Sequence, residues 1–202
     1  MNDQDGTVFL IDDDPSVRDA LTLLLSLKGM STQPFATADS FIEAYRPERA
    51  GCVLTDLRMP GMTGLELQAA LAARHIEVPL VVLTAHGDVP TARAALKNGA
   101  FDFLEKPVDD AQLVEVLRNA LRVDRERRSA SSSRSATDAR LARLTAREHE
   151  ILALLAAGHQ NREIAAQLEI SPRTVEVHKA RIMEKLECHS LAELIRINPA
   201  AG

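Results

Sequence analysis

Acidic residues stand directly after two short apolar segments in the first half of the chain. Asp12 and Asp13 follow residues 8–11, and Asp56 follows residues 52–55. Carboxylates that are held close together are costly unless a cation neutralises them, and hard oxygen ligands that leave room for water suit Mg²⁺ or Mn²⁺. These positions therefore favour a divalent-metal site near Asp12, Asp13 and Asp56.

A hydroxyl group and an ammonium group follow two further apolar segments. Thr84 ends the segment 80–84, and Lys106 comes just after the segment 101–104. A nucleophilic carboxylate, a metal ion, a hydroxyl and an ammonium are the groups that phosphoryl transfer requires, because positioning and charge neutralisation carry that reaction. The combination predicts a pocket that suits phosphoryl transfer.

A plainer explanation competes at each of these positions. A single Asp next to the start of a helix is more often a cap or half of a surface ion pair than a ligand, and Asp14, which precedes Pro15 and a helical pattern, is best explained as a cap. The joint placement of four groups at four segment ends outweighs that explanation for the other residues.

The elements that must position these groups are five strand patterns, each followed by a helix pattern. The strand patterns cover 8–11, 32–34, 52–55, 80–84 and 101–104, and the helix patterns cover 17–25, 40–45, 65–73, 91–98 and 111–121. Continuous apolar strands that alternate with helices predict a doubly wound, five-stranded parallel sheet. The functional crevice of such a sheet lies at the carboxyl ends of its strands, where the acidic residues stand.

A polar, Ser-rich stretch separates this region from the rest of the chain. Residues 125–136 contain no large aliphatic side chain, so we expect a linker at 124–141 between domains at 1–123 and 142–202. The sequence leaves open whether this linker is helical or flexible. Residues 1–123 carry 11 Lys and Arg against 18 Asp and Glu, whereas 124–202 carry 13 against 11, so only the second part would approach DNA without repulsion.

The second part has helix patterns and no strand patterns. Helix-start signals occur four times, at Thr145 with Glu148, at Asn161, at Ser171 with Pro172, and at Ser190 with Glu193. A tight turn between the second and third helices predicts an all-α, four-helix domain that contains a helix-turn-helix.

Composition excludes several classes of protein. The 202-residue chain has only 3% aromatic residues, which argues against a nucleic-acid site built on stacked bases. Its two cysteines, Cys52 and Cys188, are expected to be reduced thiols. The first residues do not resemble a signal peptide, and no apolar run approaches the roughly 18 residues that span a bilayer. We therefore expect a cytoplasmic protein with no membrane partner.

Four motifs together resemble the receiver domain of two-component response regulators over essentially all of 1–123. They are Ile11-Asp12-Asp13-Asp14, Thr55 to Gly64, Leu83-Thr84-Ala85 and Glu105-Lys106-Pro107. The resemblance implies a flavodoxin-like fold in which Asp56 receives a phosphoryl group from a sensor histidine kinase. It also implies that Asp13, Asp56 and the backbone carbonyl of Arg58 hold Mg²⁺, with Asp12 helping through water.

The resemblance also implies a switch. Thr84 would hydrogen-bond the phosphoryl oxygens, Lys106 would pair with them, and the bond before Pro107 would be cis. Phe103 would turn in behind Thr84, although a plain core role explains this residue nearly as well. We expect the face made by 91–98, 101–105 and 111–121 to form a homodimer upon phosphorylation.

Two residues beside the pocket are candidates for setting the lifetime of the phosphoryl group. Arg58 and His86 lie two positions beyond Asp56 and Thr84 and could impede or orient the hydrolytic water. Solvated loop side chains are an equally good explanation of both.

The second part resembles a LuxR-type helix-turn-helix over about 144–197, and with the first part it resembles the FixJ subfamily of response regulators. The resemblance implies that a helix starting at Ser171 enters the major groove of double-stranded DNA, and RNA polymerase is a further candidate partner. The candidate DNA contacts are Asn161, Arg162, Arg173, Thr174, Glu176, Val177, His178, Lys179, Ala180 and Arg181. Arg162, Arg173, Lys179 and Arg181 are phosphate-contact candidates, and for His178 packing or a backbone contact is favoured over base readout.

Three other functions compete with a phosphorylation-controlled transcriptional regulator, which acts on no substrate except its own phosphoryl group. An aspartyl-phosphate hydrolase would need an acid two residues after the nucleophile, where this chain has Arg58. A receiver without output is disfavoured by the complete helix-turn-helix. A constitutive DNA-binding protein is disfavoured by the intact set of Asp12, Asp13, Asp56, Thr84 and Lys106.

Overall fold

The computed structural model describes residues 6–85 and 89–197, which fall into two units divided after Ser129. The strands, in chain order, are β1 Thr7–Ile11, β2 Ser31–Phe35, β3 Gly51–Asp56, β4 Leu80–Thr84 and β5 Asp102–Glu105. The helices are α1 Pro15–Leu27, α2 Ala38–Ala44, α3 Gly64–Ala73, α4 Val89–Lys97, α5 Asp110–Leu141, α6 Ala146–Ala156, α7 Asn161–Gln167, α8 Pro172–Leu186 and α9 Leu191–Ile197.

The first unit is built on a parallel sheet with strand order β2-β1-β3-β4-β5. Successive side chains of a strand point to opposite faces, so Phe9 and Val53 enter one buried apolar cluster while Val8 and Leu54 enter another. Helices that cover both faces explain why the strands of the sequence are continuous apolar runs. The predicted five-stranded receiver-type fold is confirmed.

The strand register brings the carboxyl ends of the central strands to one edge of the sheet. Ile11 pairs with Thr55 across β1 and β3, and Asp56 pairs with Leu83 across β3 and β4. Thr84 pairs with Glu105 across β4 and β5. The residues that follow β1 and β5 therefore lie at the same edge as Asp56 and Thr84.

Helix α1 begins where the capping interpretation of Asp14 placed it. The Asp14 carboxylate accepts a hydrogen bond from the Ser16 backbone N–H at 2.8 Å, and Pro15 occupies the first helical position. A side-chain acceptor at this point satisfies a donor that the helix itself leaves unpaired. Asp14 is thus a cap.

Helix α5 is much longer than predicted, because it continues from Leu121 to Leu141 through the segment expected to be a linker. The continuation is anchored by Asp124, whose side chain is fully buried. Its carboxylate accepts hydrogen bonds from the Gly51 backbone N–H at 2.9 Å, Arg128 Nε at 2.6 Å and Arg127 Nη2 at 2.7 Å. The expected end at 121 was wrong because Arg and Glu favour helix and this network ties the next turn to β3.

The second unit contains helices α6 to α9, which pack around one apolar cluster that includes Ile151, Ile164, Val175, Ile182 and Leu186. The capping box of Thr145 and Glu148 opens α6, and Ser171 caps α8 through the Thr174 N–H.

The start of α7 is one residue earlier than predicted. Gln160 is the cap and Asn161 is the first helical residue, because the Glu163 carboxylate accepts the Gln160 backbone N–H at 2.7 Å.

Among the residues that the structure describes, no helix is long and apolar enough to cross a membrane.

Candidate functional site

The pocket at the edge of the sheet is organised by Lys106. Its Nζ donates to Asp56 Oδ1 at 2.7 Å and to Asp12 Oδ2 at 3.0 Å, residues that lie 50 and 94 positions away in sequence. Burial would lower the pKa of Lys106, but the hydrogen bonds to Asp56 and Asp12 outweigh burial and raise the pKa above its ordinary value. The ammonium group therefore stays charged and offsets part of the negative charge of the two carboxylates.

Backbone contacts orient the same two carboxylates. Asp12 Oδ1 accepts the Asp14 N–H at 2.9 Å, and Asp56 Oδ2 accepts the Arg58 N–H at 2.7 Å. Asp12 is buried, while the Asp56 side chain is 13% exposed. A nucleophile needs this combination of fixed orientation and access to a reacting partner.

The loop after β3 can pass close to Asp56 because residue 64 is glycine. A Cβ atom at Gly64 would lie 2.6 Å from the Asp56 carbonyl oxygen, a distance that real Cβ atoms essentially never show. The Gly64 N–H donates to the Leu57 carbonyl at 3.0 Å. The glycine therefore lets the end of β3 and the start of α3 meet beneath the pocket.

Thr84 and Phe103 lie where the strand pattern predicted. Thr84 ends β4 and is buried, and its carbonyl accepts the Lys106 N–H at 2.7 Å. Phe103 is half-buried in β5 and packs against the same apolar cluster as Ala95 of α4. The predicted cis bond between Lys106 and Pro107 is present.

Other predicted residues of the pocket are less enclosed. Asp13 and Arg58 are exposed, and Asp13 does not take part in the ion pairs of Lys106 with Asp12 and Asp56. His86 lies outside the described residues.

Within 6–85 and 89–197, no three His, Cys, Asp or Glu side chains are gathered as metal ligands. The donors near Asp56 are nevertheless carboxylate and carbonyl oxygens, which is the chemistry that Mg²⁺ prefers.

Sequence reasoning missed one residue of this pocket. Arg18 lies one turn into α1, and its Nη1 donates to the Asp12 backbone carbonyl at 2.6 Å. The contact holds the end of β1 against α1 and places a positive charge beside the carboxylates. A cation four residues after an Asp-rich run was the only available signal, and it is too common to be diagnostic.

Helix α8 has one buried apolar face and one face that is open to solvent, as a recognition helix requires. Val175, Ile182 and Leu186 are fully buried, whereas the opposite side is open to solvent. The exposed candidate DNA contacts are Arg162, Arg173, Glu176, Val177, Ala180 and Arg181, and the half-buried ones are Asn161, Thr174, His178 and Lys179. Val177, at 45% exposed, is a large apolar side chain on this open face.

A partly buried ion pair fixes α8 within the second unit. Lys185 Nζ donates to Glu148 Oε2 at 2.6 Å, and the Thr145 N–H donates to the same carboxylate oxygen at 2.7 Å. Burial would raise the pKa of Glu148, but these contacts outweigh burial and lower it to about 2. Glu148 therefore joins the start of α6 to the end of α8.

Comparison with known proteins gives two family matches. The response regulator receiver domain matches residues 8–118, and the LuxR family of bacterial regulatory proteins matches residues 142–198. The transcriptional regulatory protein FixJ of Azorhizobium caulinodans is 44% identical over 195 residues, which cover 96% of this chain and 92% of that protein. FixJ of Bradyrhizobium diazoefficiens is 41% identical over 199 residues, which cover 98% and 96%.

Two solved structures extend the likeness to nearly the whole chain. The response regulator StyR matches with a TM-score of 0.88 and 42% identity, covering 95% of this chain and 96% of that one. Full-length FixJ from B. japonicum matches with a TM-score of 0.59 and 40% identity, covering 98% and 97%.

These matches confirm the family that the motifs indicated. A receiver domain implies a kinase partner, a LuxR-type domain implies DNA binding, and the family consists of transcriptional regulators rather than classical enzymes. The chain belongs to the FixJ-type transcriptional response regulators, in which a receiver domain and a LuxR-type DNA-binding domain regulate transcription in response to phosphorylation.

Proposed function

We propose that Asp56 is the residue that accepts the phosphoryl group, within a receiver domain at 1–123 that controls a DNA-binding domain at 142–202 through the segment 124–141. The observation that carries this proposal is the position of Lys106 Nζ, 2.7 Å from Asp56 and 3.0 Å from Asp12. A charged ammonium beside a half-enclosed carboxylate suits a group that gains negative charge in the reaction.

The transfer takes place on one carboxylate oxygen of Asp56. That oxygen attacks the phosphorus of a phosphohistidine on the sensor kinase, the O–P bond forms as the P–N bond breaks, and the imidazole leaves with a proton from solvent. Lys106 then shifts its hydrogen bond from Asp56 Oδ1 to a phosphoryl oxygen. The ammonium faces a negatively charged oxygen before and after the transfer, first on Asp56 and then on the phosphoryl group.

We infer that the pocket holds Mg²⁺ or Mn²⁺ through Asp13, Asp56 and the carbonyl of Arg58, with Asp12 acting through water. The oxygen donor set fits these ions. When bound, the ion supplies charge neutralisation for the phosphoryl oxygens. The Arg58 N–H bond to Asp56 Oδ2 keeps the carbonyl-bearing loop close to the acceptor.

Thr84 and Phe103 form the proposed switch. The Thr84 hydroxyl turns towards the phosphoryl group, and the Phe103 ring follows, since it packs against the apolar cluster that includes Ala95 of α4. We propose that the face made by α4, β5 and the first part of α5 forms a dimer contact upon phosphorylation. Sedimentation with and without a phosphoryl mimic tests this step, and a monomer in both conditions contradicts it.

Arg58 and His86 are proposed to set the lifetime of the phosphoryl group, which the chain removes by its own hydrolysis. The exposed Arg58 side chain supports a role at the mouth of the pocket. Faster or slower dephosphorylation in Arg58→Ala and His86→Ala supports the role, and unchanged rates in both refute it.

In the second unit, we propose that the exposed face of α8 enters the major groove of double-stranded DNA. Arg162, Arg173, Lys179 and Arg181 would contact phosphates, so each Ala variant should reduce the salt dependence of binding by a slope of about 1. Glu176, Val177 and Ala180 would face base edges. Contacts from Asn161, Thr174 and His178 would flank them. We propose that this binding takes place in the cytoplasm and activates transcription, with RNA polymerase as a further partner.

Intact-mass measurement after incubation with Mg²⁺ and acetyl phosphate tests the acceptor. We expect wild type to gain one phosphoryl group and Asp56→Asn to gain none. Asp14→Asn is the matched control, because Asn caps a helix as well as Asp does while one carboxylate next to the pocket is still removed. Equal phosphorylation of Asp56→Asn and wild type contradicts the assignment.

A further inference from the structure

A cleft of about 360 Å³ lies in the first unit between the end of α1 and the middle of α5. Gly6, which precedes β1, lines the cleft, whereas Asp12 follows the other end of the same strand. At about 3.3 Å per residue, these two positions are about 20 Å apart. The cleft therefore lies at the opposite end of the sheet from the pocket of Asp56 and is a separate site.

Four basic side chains line this cleft. Arg118, Arg122 and Arg125 belong to α5, and Lys28, at the end of α1, is the fourth. Residues 1–123 carry 11 Lys and Arg against 18 Asp and Glu, so the cleft gathers positive charge within an acidic region. No Asp or Glu in the described part of the chain lines it. The cleft therefore has a positive potential that attracts anions.

The positive charge of the cleft is not cancelled by neighbouring carboxylates. Among the residues that the structure describes, Lys28 and Arg118 form no ion pair, and Arg118 Nη2 donates to the Lys28 carbonyl at 3.4 Å. Arg122 Nη1 pairs with Glu126 at 2.9 Å, but both side chains are more than half exposed. Water weakens such a pair, so an anion in the cleft can compete for Arg122.

The arginines of the cleft are arranged along one line. Successive residues of a helix rise 1.5 Å, so positions 118, 122 and 125 extend over about 10 Å on one face of α5. A single carboxylate would reach only part of this row, whereas a chain of linked phosphates presents anionic oxygens along its whole length. Guanidinium groups also bind phosphate oxygens through paired N–H donors. The arrangement therefore favours a ligand with several phosphate groups.

The shape of the cleft favours a small ligand. Sites for small molecules begin at about 300 Å³, and the cleft exceeds this volume. Leu121 is buried and Met30 is half-buried where they line it, which keeps water away from part of a bound ligand and strengthens its charge pairs. A Cβ atom at Gly29 would meet nothing within 4 Å, so this turn leaves the cleft open.

We propose that this cleft binds a small anion with several linked phosphate groups, the chemistry shared by inorganic tripolyphosphate and nucleoside triphosphates. Lys28 and Arg118 bind one end of the phosphate chain, and Arg122 and Arg125 bind the groups that follow. The site requires neither phosphorylation of Asp56 nor binding of DNA, so it is a function beyond the one proposed above.

NMR titration of the ¹⁵N-labelled full chain with sodium tripolyphosphate and with ATP, in EDTA at constant ionic strength, tests the proposal. We expect saturable shifts of the Gly6, Gly29 and Asn119 amides with both probes. Inorganic phosphate should bind about 10-fold more weakly, because at least two charge pairs are lost. Tighter binding of ATP than of tripolyphosphate identifies nucleoside triphosphates as the source of the ligand, and the reverse order identifies inorganic chains.

Charge variants of opposite sign separate ligand binding from a general loss of structure. Lys28→Gln and Arg118→Gln should each weaken binding of tripolyphosphate about 3- to 5-fold. Glu115 borders the adjoining surface together with Lys28 and Arg118, so Glu115→Gln should strengthen binding about 2-fold. Arg74→Gln is the matched control, because Arg74 is an exposed cation at the end of α3 that does not line the cleft.

Binding of tripolyphosphate to Asp56→Asn should equal binding to wild type, which separates this site from the phosphoryl pocket. The proposal is overturned by an absence of saturable shifts at the cleft in wild type, or by inorganic phosphate that binds as tightly as tripolyphosphate. It is also overturned if Lys28→Gln and Arg118→Gln bind like wild type, or if Arg74→Gln loses as much affinity as they do.

Discussion

Replacement of Asp124 by alanine should destabilise the first unit even though the residue lies far from the phosphoryl pocket. Among the residues that the structure describes, Asp124 is the only acidic side chain of α5 that is fully buried. It joins the helix to the N–H of Gly51 at the start of β3, and through Arg128 Nη2 to the Arg49 carbonyl at 2.8 Å. Its removal therefore disconnects this turn of α5 from the start of β3.

The expected loss of stability follows from the three groups that donate hydrogen bonds to Asp124. Breaking a buried ion pair costs about 3–5 kcal/mol, because a charge is left uncompensated. The side chains of Arg127 and Arg128 are 34% and 24% exposed, so water partly replaces the lost carboxylate. The Gly51 N–H stays buried and unpaired, at a cost of about 1–3 kcal/mol. We therefore expect Asp124→Ala to lower the free energy of unfolding by about 3 kcal/mol.

Native-state hydrogen exchange of the full chain measures this loss within the first unit alone. The slowest amides of β1 and β3 report global opening of the sheet, and they should exchange about 100-fold faster in Asp124→Ala. Glu126→Ala is the matched control, because Glu126 is an acidic residue of the same helix whose pair with Arg122 is exposed. That variant should change stability by less than about 0.5 kcal/mol.

Two results would refute this reasoning. A loss below about 1 kcal/mol in Asp124→Ala would mean that the carboxylate is not the anchor of α5. Equal losses in Asp124→Ala and Glu126→Ala would mean that acidic charge on the helix matters and burial does not.

Two further predictions concern the second unit. Glu148→Gln should cost about 2 kcal/mol at pH 7, since Lys185, 33% exposed, keeps part of its hydration. Because the pKa of Glu148 is lowered from 4.5 to about 2, the ionised carboxylate stabilises the fold fully above pH 4.5 and loses this effect as the pH falls towards 2. In urea unfolding, the difference in stability between wild type and Glu148→Gln should therefore shrink over this range. A difference that does not change with pH would contradict the assignment of the effect to the Glu148 carboxylate. Glu169, in the turn between α7 and α8, has a φ of 54°, a conformation that strains β-branched residues and suits glycine. Glu169→Val should lower the free energy of unfolding by about 1–2 kcal/mol, and Glu169→Gly should change it by less than about 1 kcal/mol in either direction, as measured by hydrogen exchange of the slowest α8 amides. Equal losses in the two variants would exclude backbone strain as the cause.

The sheet and its pocket could be predicted because their signals are local or follow from topology. Continuous apolar runs identified the strands, and the rule that parallel strands end at one edge brought Lys106 to Asp56, although 50 residues separate them. The start of α1 could be predicted from Asp14 and Pro15, because a cap and its helix are adjacent in sequence.

The length of α5 could not be predicted, because its cause is not local. Serine disfavours helix interiors, and no apolar periodicity runs through 125–136. The anchor at Asp124 depends on Gly51, 73 residues earlier in the chain, and on backbone carbonyls near residue 49. The role of Arg18 could not be predicted for a similar reason. Its partner is the Asp12 backbone carbonyl, and every residue has a backbone carbonyl, so the sequence does not mark this one.

Genome-wide mapping of the DNA bound by wild type and by Asp56→Asn, expressed at equal levels in the native host, tests most directly whether phosphorylation of Asp56 controls DNA binding. We predict that wild type occupies a defined set of sites under inducing conditions, that Asp14→Asn occupies the same set, and that Asp56→Asn loses it. Identical occupancy by wild type and Asp56→Asn would contradict the account.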